Sequence, residues 1–398
     1  MNTKIFGIFL VLFLSGNIAS NAQWNQQTSN VTDNLMDVYF TDNNTGFVTA
    51  QGMPYLLKTV DGGSSWNKIN LPSDGCNALW FMNSNVGYVV GANLPVLMKT
   101  TDGGLTWTMT DTGTGVAAYD ICFSTPDIGF IVGGASFSGG QIIRTTDAGA
   151  TWSVVFTTTW EMLSVSFSTG NTGYAVGMVG VIAKTTDAGA TWTQLTSITN
   201  KNLASVFFIP NTTVGYAAGE GVILKTMDGQ NWINITPPNA GILFSVYFTD
   251  VNTGYAAGQY GSIYSTSDGG STWTLTQYNI NGLFQGVFFS DASHGWAVGD
   301  HGSIYKYSGG VGLNETGQNN SDGFMVYPNP ATDRITAEIR DLNQKSKLII
   351  MDFTGRVLIT HQIKANLSEI DISNLTSGCY FVNYVNERSI VVRRIIKI

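Results

Sequence analysis

The chain has 398 residues, enough for two or three domains, with 43% apolar and only 12% charged residues. That excludes a disordered chain, and a formal net charge of −8 argues against nucleic acid or an anionic membrane as the main partner. The charge is uneven: residues 1–323 carry 9 Lys/Arg against 20 Asp/Glu, residues 324–398 carry 10 against 7, so two dissimilar domains are expected.

Lys4, the apolar run Ile5–Leu14, and small residues Ser20 and Ala22 before Gln23 read as a secretory signal peptide over 1–22. That run is too short to span a bilayer, and no other long apolar stretch follows. An exported chain without a membrane span is expected. Export permits disulfides, yet there are only three cysteines. In repeat phase Cys76 lies four residues ahead of Cys122, about 13 Å of strand, beyond disulfide reach. Cys379 falls in the other domain, so unpaired thiols are expected.

From Gln23 onward a Gly-aromatic pair recurs seven times, at Gly46, Gly87, Gly129, Gly173, Gly215, Gly254 and Gly295. About six residues before each stands a Phe: Phe40, Phe81, Phe123, Phe167, Phe208, Phe248 and Phe289. After each of the first six pairs comes Thr-x-Asp-x-Gly-x-Thr-Trp or a close variant, ending at Trp66, Trp107, Trp152, Trp192, Trp232 and Trp273. Each unit therefore reads as four short strands, in the fourth unit about Ser164–Ser168, Gly173–Val176, Val181–Thr185 and Trp192–Leu195. Four strands per repeat of about 40 residues is the signature of a propeller blade. The seventh unit ends at Tyr307 after three strands. Trp24 falls in phase with the box tryptophans, so an N-terminal strand is expected to complete the last blade and remove its open edge. The predicted fold is all-β: a seven-bladed β-propeller over 23–307, closed by its N-terminal strand.

The box resembles the Asp-box, or BNR repeat. The extended pattern, in the fourth unit Val165-Ser166-Phe167, Gly173-Tyr174-Ala175-Val176-Gly177 and Ile182-Ala183-Lys184-Thr185-Thr186-Asp187, resembles the photosystem II assembly/stability-factor-like propellers. The six box aspartates, Asp61, Asp102, Asp147, Asp187, Asp228 and Asp268, read as turn-forming residues. Asp and Thr side chains accept from nearby backbone N–H groups, and every blade needs that turn, whereas a catalytic site is needed once.

Ser308–Gly323 is polar and Gly/Asn-rich, a linker by composition. Beyond it, alternating segments at 335–339, 347–353, 357–362, 368–372, 380–385 and 389–396 read as a small C-terminal β-sandwich over 324–398. Tyr327-Pro328-Asn329-Pro330-Ala331-Thr332-Asp333, Asp352-Phe353-Thr354-Gly355-Arg356-Val357 and the segment Ile372–Val382 containing Gly378 resemble the type A C-terminal sorting domain of type IX secretion. That resemblance implies passage through the periplasm, recognition by the type IX secretion machinery through residues 324–398, and an extracellular or cell-surface destination.

Catalytic sets are scarce. Sialidases share the Asp-box but hold a carboxylate with three arginines, and the propeller has only Arg144. His294 and His301 flank the second strand of the seventh blade, too far apart for one ion, so no metal and no cofactor is expected. A glycosidase needs paired carboxylates roughly 5–10 Å apart. Asp74, Asp111, Asp120 and Asp300 are the candidates on the face opposite the boxes, and they read equally as solvated loop charges. On that rim Tyr119, Trp160, Glu161, Phe244, Tyr260, Phe284, Asp300 and His301 are expected in loops, where aromatics beside carboxylates suit a sugar or peptide; partial burial between blades is the alternative. The expectation is a monomeric, non-enzymatic propeller binding a glycan or protein, with a polysaccharide-degrading glycoside hydrolase using paired Asp as the competitor.

Overall fold

The structure, a computed structural model, describes residues 23–91, 96–115, 117–135, 139–277, 282–308, 324–329, 331–339, 346–352, 356–385 and 390–397. The expected signal peptide, residues 309–323 of the expected linker, Pro330 and Gly355 lie outside these residues. The chain divides into two compact units at Gly310/Val311.

The first unit is a seven-bladed propeller. Six four-stranded antiparallel sheets follow chain order, and a seventh is completed by Gln23–Gln27 alongside Ile304–Ser308. Trp24 pairs with Tyr307 in that register. The fourth blade runs Met162–Phe167, Gly173–Gly177, Ile182–Thr185 and Thr193–Gln194, within two residues of the expected bounds at most ends.

One aromatic triad per blade explains the repeat. The first-strand Phe stacks on the Gly-aromatic ring of the preceding blade: Tyr174 lies on Phe208 at 3.7 Å and Tyr216 on Phe248 at 3.6 Å. Trp296 of the last blade stacks on Phe40 of the first at 3.4 Å, which closes the ring. The box Trp meets the same Phe edge-on, as Trp232 meets Phe208 at 6.0 Å and 86°. Edge-to-face and stacked pairs each add about 0.5–1.5 kcal/mol beyond area burial. The residue before the aromatic must be Gly because the Phe ring lies over it: a Cβ at Gly173 would stand 2.5 Å from Phe167.

Basic residues latch neighbouring blades. Lys58 donates to the Gly103 carbonyl at 2.8 Å, Lys99 to Ala148 at 3.0 Å and Lys184 to Gly229 at 3.1 Å. Arg144, the one arginine before residue 324, does the same for Ala188 through Nε at 2.9 Å. It serves the frame of the ring.

The second unit is a β-sandwich of a three-stranded sheet (Phe324–Tyr327, Arg334–Ile339, Leu367–Asp371) and a four-stranded sheet (Val357–Gln362, Lys347–Met351, Gly378–Val385, Ile390–Lys397). Its core gathers Phe324, Ile335, Leu348, Ile350, Ile370, Val382 and Ile395, all buried. The period of two is plain along Arg334–Ile339, where Ile335, Ala337 and Ile339 are buried and the residues between them are not. Of the expected sorting residues, Pro328, Asn329, Asp333 and Gly378 are exposed. The Asp333 carbonyl accepts from Ile372 N at 2.8 Å.

Candidate functional site

Two rims can be told apart by backbone bonds. The box turns bond to the turns between first and second strands, as Gly103 N does to the Asn85 carbonyl at 2.9 Å. The loops between second and third strands bond to the segments entering the first strands, as Glu220 N does to Asn202 and Gln259 N to Ile242.

On the first rim the boxes are closed hydrogen-bond units. Asp187 accepts from Thr185 Oγ1 at 2.8 Å and Thr191 N at 2.9 Å on one oxygen, and from Thr191 Oγ1 at 2.6 Å on the other. These bonds, that from Thr191 Oγ1 foremost, hold its carboxyl down at about 2. Asp61, Asp102, Asp147 and Asp268 behave alike at about 2, and Asp228, through Asn231, is lowered as well. With both oxygens committed to the turn, each carboxylate is a structural acceptor.

On the opposite rim the expected residues divide. Trp160 and Tyr260 are exposed, at 48% and 46%, and His301 is exposed with Asp300 half-buried beside it. Desolvation raises the Asp300 carboxyl, against the opposing pull of His301. Tyr119 and Phe244 correct the expectation of loop residues: both lie within first strands, Ala117–Phe123 and Leu243–Phe248. Tyr119, raised first by burial, hydrogen-bonds Glu161. Phe284 is also a strand residue and is buried against Tyr305, so it presents no surface to a ligand. Asp74 and Asp111 are exposed in separate places, and Asp120 belongs to the central channel instead of the rim.

Three bulky side chains on this rim stand at positive φ: Val179 at 54°, Tyr260 at 60° and His301 at 54°. Each is followed by a glycine also at positive φ, namely Gly180, Gly261 and Gly302. Non-Gly residues there cost of order 1–3 kcal/mol, so the ring tolerates strain where it displays these side chains.

Between the rims runs the channel, whose lining repeats only in part, with serine in three blades at one position and an aromatic residue in five at another. All seven first strands break register at the fourth residue before the Phe. A bulge re-aims side chains. Here it brings two successive positions onto one cavity of about 570 Å³. The outer layer is Met36, Asn77, Tyr119, Leu163, Ala204, Phe244 and Gln285. The inner layer includes Asp37, Asp120, Ser164, Ser205 and Ser245. Below them, towards the box side, stand Tyr39, Trp80, Phe207, Tyr247 and Phe288, half-buried around a second cavity of about 540 Å³. Tyr39 lies 4.8 Å from Phe288 and 5.5 Å from Trp80 between ring centres.

The inner layer is a hydrogen-bonded hoop. Ser164, Ser205 and Ser245 accept from the next blade's Val206, Val246 and Val287 N at 3.1–3.2 Å. Asp37 accepts from Leu79 N at 3.0 Å and Asp120 from Val165 N at 2.9 Å in the same way. Ala78 and Gly286 have no side-chain acceptor to offer. The amides they leave, Ile121 N and Val38 N, are taken by the second oxygens of Asp120 at 2.7 Å and Asp37 at 2.8 Å. Each aspartate thus serves two blades. Both keep surface open to the channel yet are desolvated, which pushes Asp37 up to about 7, with the Asp120 charge adding, and Asp120 up to about 6.

No group of three His, Cys, Asp or Glu that could hold a metal occurs among the described residues. Cys76 and Cys122 are free and buried. No helix among the described residues is long and apolar enough to cross a membrane.

Fold and site together define a seven-bladed propeller whose strictly repeated residues build the ring and whose more variable ones line a channel, joined in one chain to a small β domain. Residues 17–114 and 106–235 match the family of the photosynthesis system II assembly factor YCF48, and the chain belongs to that family. Residues 325–398 match the secretion system C-terminal sorting domain, which implies export by type IX secretion. No curated protein matches the sequence. Similar solved structures include YCF48 bound to D1 peptide, at 22% identity and TM-score 0.59, covering 71% of this chain and 94% of that one. YCF48 from Cyanidioschyzon merolae is similar at 20% identity and TM-score 0.60, covering 72% and 98%. The GH74 enzyme of Niastella koreensis is similar at 15% identity and TM-score 0.58, covering 79% of this chain and 59% of that one. At these identities the likeness shows the fold alone.

Proposed function

We propose that the chain is delivered through the periplasm and outer membrane to the cell surface or medium, where the propeller binds a protein or glycan on the rim opposite the Asp-boxes. The observation that carries this reading is the strained display of Tyr260 and His301 on the rim where Asn202, Glu220 and Ile242 also border the channel cavity. The D1 peptide held by a YCF48 relative supports a polypeptide as the ligand class. Photosynthetic function is not carried over, because the sorting domain directs the chain outward.

The competing reading, a glycoside hydrolase, draws on Asp37 and Asp120 facing one cavity and on the likeness to a GH74 enzyme. Acid and nucleophile roles require environments that drive two carboxyls apart. Here burial moves both the same way, and every oxygen holds a blade amide. Binding of the full chain without its leader to peptide and glycan arrays tests the proposal. Ligands lost in Trp160→Ala and Tyr260→Ala support it. Turnover of a glycan, abolished in Asp120→Asn, would establish the hydrolase instead.

A further inference from the structure

We propose that the mouth of the central channel captures a lysine side chain of a polypeptide partner, with its stem against the outer layer and its ammonium between Asp37 and Asp120. This rests on the reading that the propeller binds through the rim opposite the Asp-boxes, and it names the group that is recognised.

Three layers carry the argument. Met36, Leu163, Ala204 and Phe244 give the cavity mouth apolar walls. A lysine buries its four-carbon stem along such surface while its charge seeks a polar partner. Asp37 and Asp120 come next. Each oxygen accepts one blade amide, and Asp120 Oδ2 accepts Ser164 Oγ as well at 2.9 Å. Both oxygens of Asp37 and Oδ1 of Asp120 can accept one bond more, since a carboxylate offers about four lone-pair sites. Among the described residues neither carboxylate has an ion pair. Four lysines of the ring, Lys58, Lys99, Lys184 and Lys225, are spent on the opposite rim, latching box carbonyls. Beneath lies the aromatic floor of Tyr39, Trp80, Tyr247 and Phe288, whose faces attract an organic cation. An ammonium, a compact point charge with rotatable donors, can meet one oxygen on each of two separate carboxylates, whereas a guanidinium's planar fork suits both oxygens of one.

The charge state gives a readout that a merely steric pocket lacks. Burial keeps both carboxyls protonated in mild acid, and an ammonium binds their ionised form. Affinity therefore rises as pH climbs through about 6 and 7, with proton release on binding. Tyr39 and Cys122 stand two residues along the same strands from Asp37 and Asp120, and Tyr247 of another first strand interacts with Tyr39. All three are pushed up by burial and stay neutral over that range. Tyr119, raised likewise, and Glu220 stand at the mouth.

The test is calorimetric titration of the full chain without its leader with acetylated, amidated Gly-Ser-Lys-Ser-Gly, its norleucine and arginine counterparts, a chito-oligosaccharide and n-butylammonium chloride. The lysine peptide is expected to bind, and the norleucine peptide to bind about tenfold or more weakly, as loss of a charge-assisted contact implies. Affinity is expected to rise from pH 5 to pH 8 and to be lost in Ala204→Trp, which blocks the mouth without touching the hydrogen-bonded hoop. Butylammonium is expected to compete. Equal binding of the norleucine peptide, a pH-flat affinity, or glycan binding that Ala204→Trp removes would overturn the inference. An array ligand lost in Trp160→Ala and Tyr260→Ala but kept in Ala204→Trp would leave the rim reading standing and the channel inference refuted. If the rim variants lose nothing, the butylammonium titration still decides the channel alone.

Discussion

The ring of Trp24 meets Phe289 edge-on, with centroids 5.9 Å apart at 84°. Phe248 and Trp273 of the preceding blade stand at 6.1 Å and 85°. A residue at the start of the propeller thus occupies the box-tryptophan place of the last blade, and only 4% of it is exposed.

Trp24→Ala is accordingly expected to destabilise the propeller by about 3–5 kcal/mol, the cost of emptying a large buried aromatic site. Deleting Trp24–Gln27 is expected to cost more, since it also opens the edge of Ile304–Ser308. Denaturant unfolding of the two variants checks this; an unchanged midpoint would mean that the last blade closes by other means.

Gly173→Ala places a methyl 2.5 Å from the Phe167 ring. The ring is itself stacked on Phe130 at 4.4 Å and packed against Trp192, so it has nowhere to yield. A loss of about 1–3 kcal/mol is expected from overpacking, with Gly52→Ala, in open space but at φ +68°, as a comparison that isolates backbone strain.

Stability is expected to peak near pH 4 and to fall from there to about pH 7. The box carboxyls are lowered, so their contribution is complete above the unfolded value of about 4 and is lost as pH falls towards 2. Asp37 and Asp120 are raised, so theirs is complete below about 4 and is lost as pH rises through 6 and 7. Melting temperature against pH checks both limbs, and a profile still rising from pH 6 to pH 8 would contradict the buried pair.

The repeat, the blade count and the clasp were legible because Phe, Gly-aromatic and box Trp recur wherever the aromatic triad recurs. The channel was not. Its lining changes from blade to blade, and its facing depends on a bulge that leaves no mark in composition. Asp120 was visible only as one carboxylate among several, and nothing in the repeat marked Asp37. A signal existed: the residue before each first-strand Phe is aromatic at Tyr39, Trp80, Phe207, Tyr247 and Phe288, where the ring's packing does not require it. Phe284 misled although the repeat marked it: it stands in phase with Leu35, Met162, Leu203 and Leu243, five residues before the first-strand Phe, where every one of these side chains is buried.

Removing residues 324–398 is expected to leave a folded propeller that accumulates in the periplasm. Fusing them to a reporter that carries a signal peptide is expected to send the reporter outward in a host with the secretion system. Fractionation with immunoblotting checks both, and normal secretion of the truncated chain would remove the sorting role.

The bulge shared by all seven first strands also divides the propeller's evolutionary labour. Phe167 and its counterparts hold the ring and cannot drift without weakening a stack. Met36, Leu163 and Ala204, at the bulge, have no polar side-chain atoms for the hoop to depend on and open onto the cavity. Sequence change can accumulate there with little loss of stability. Descendants of one such chain can therefore part company in what they bind long before they differ in how they fold.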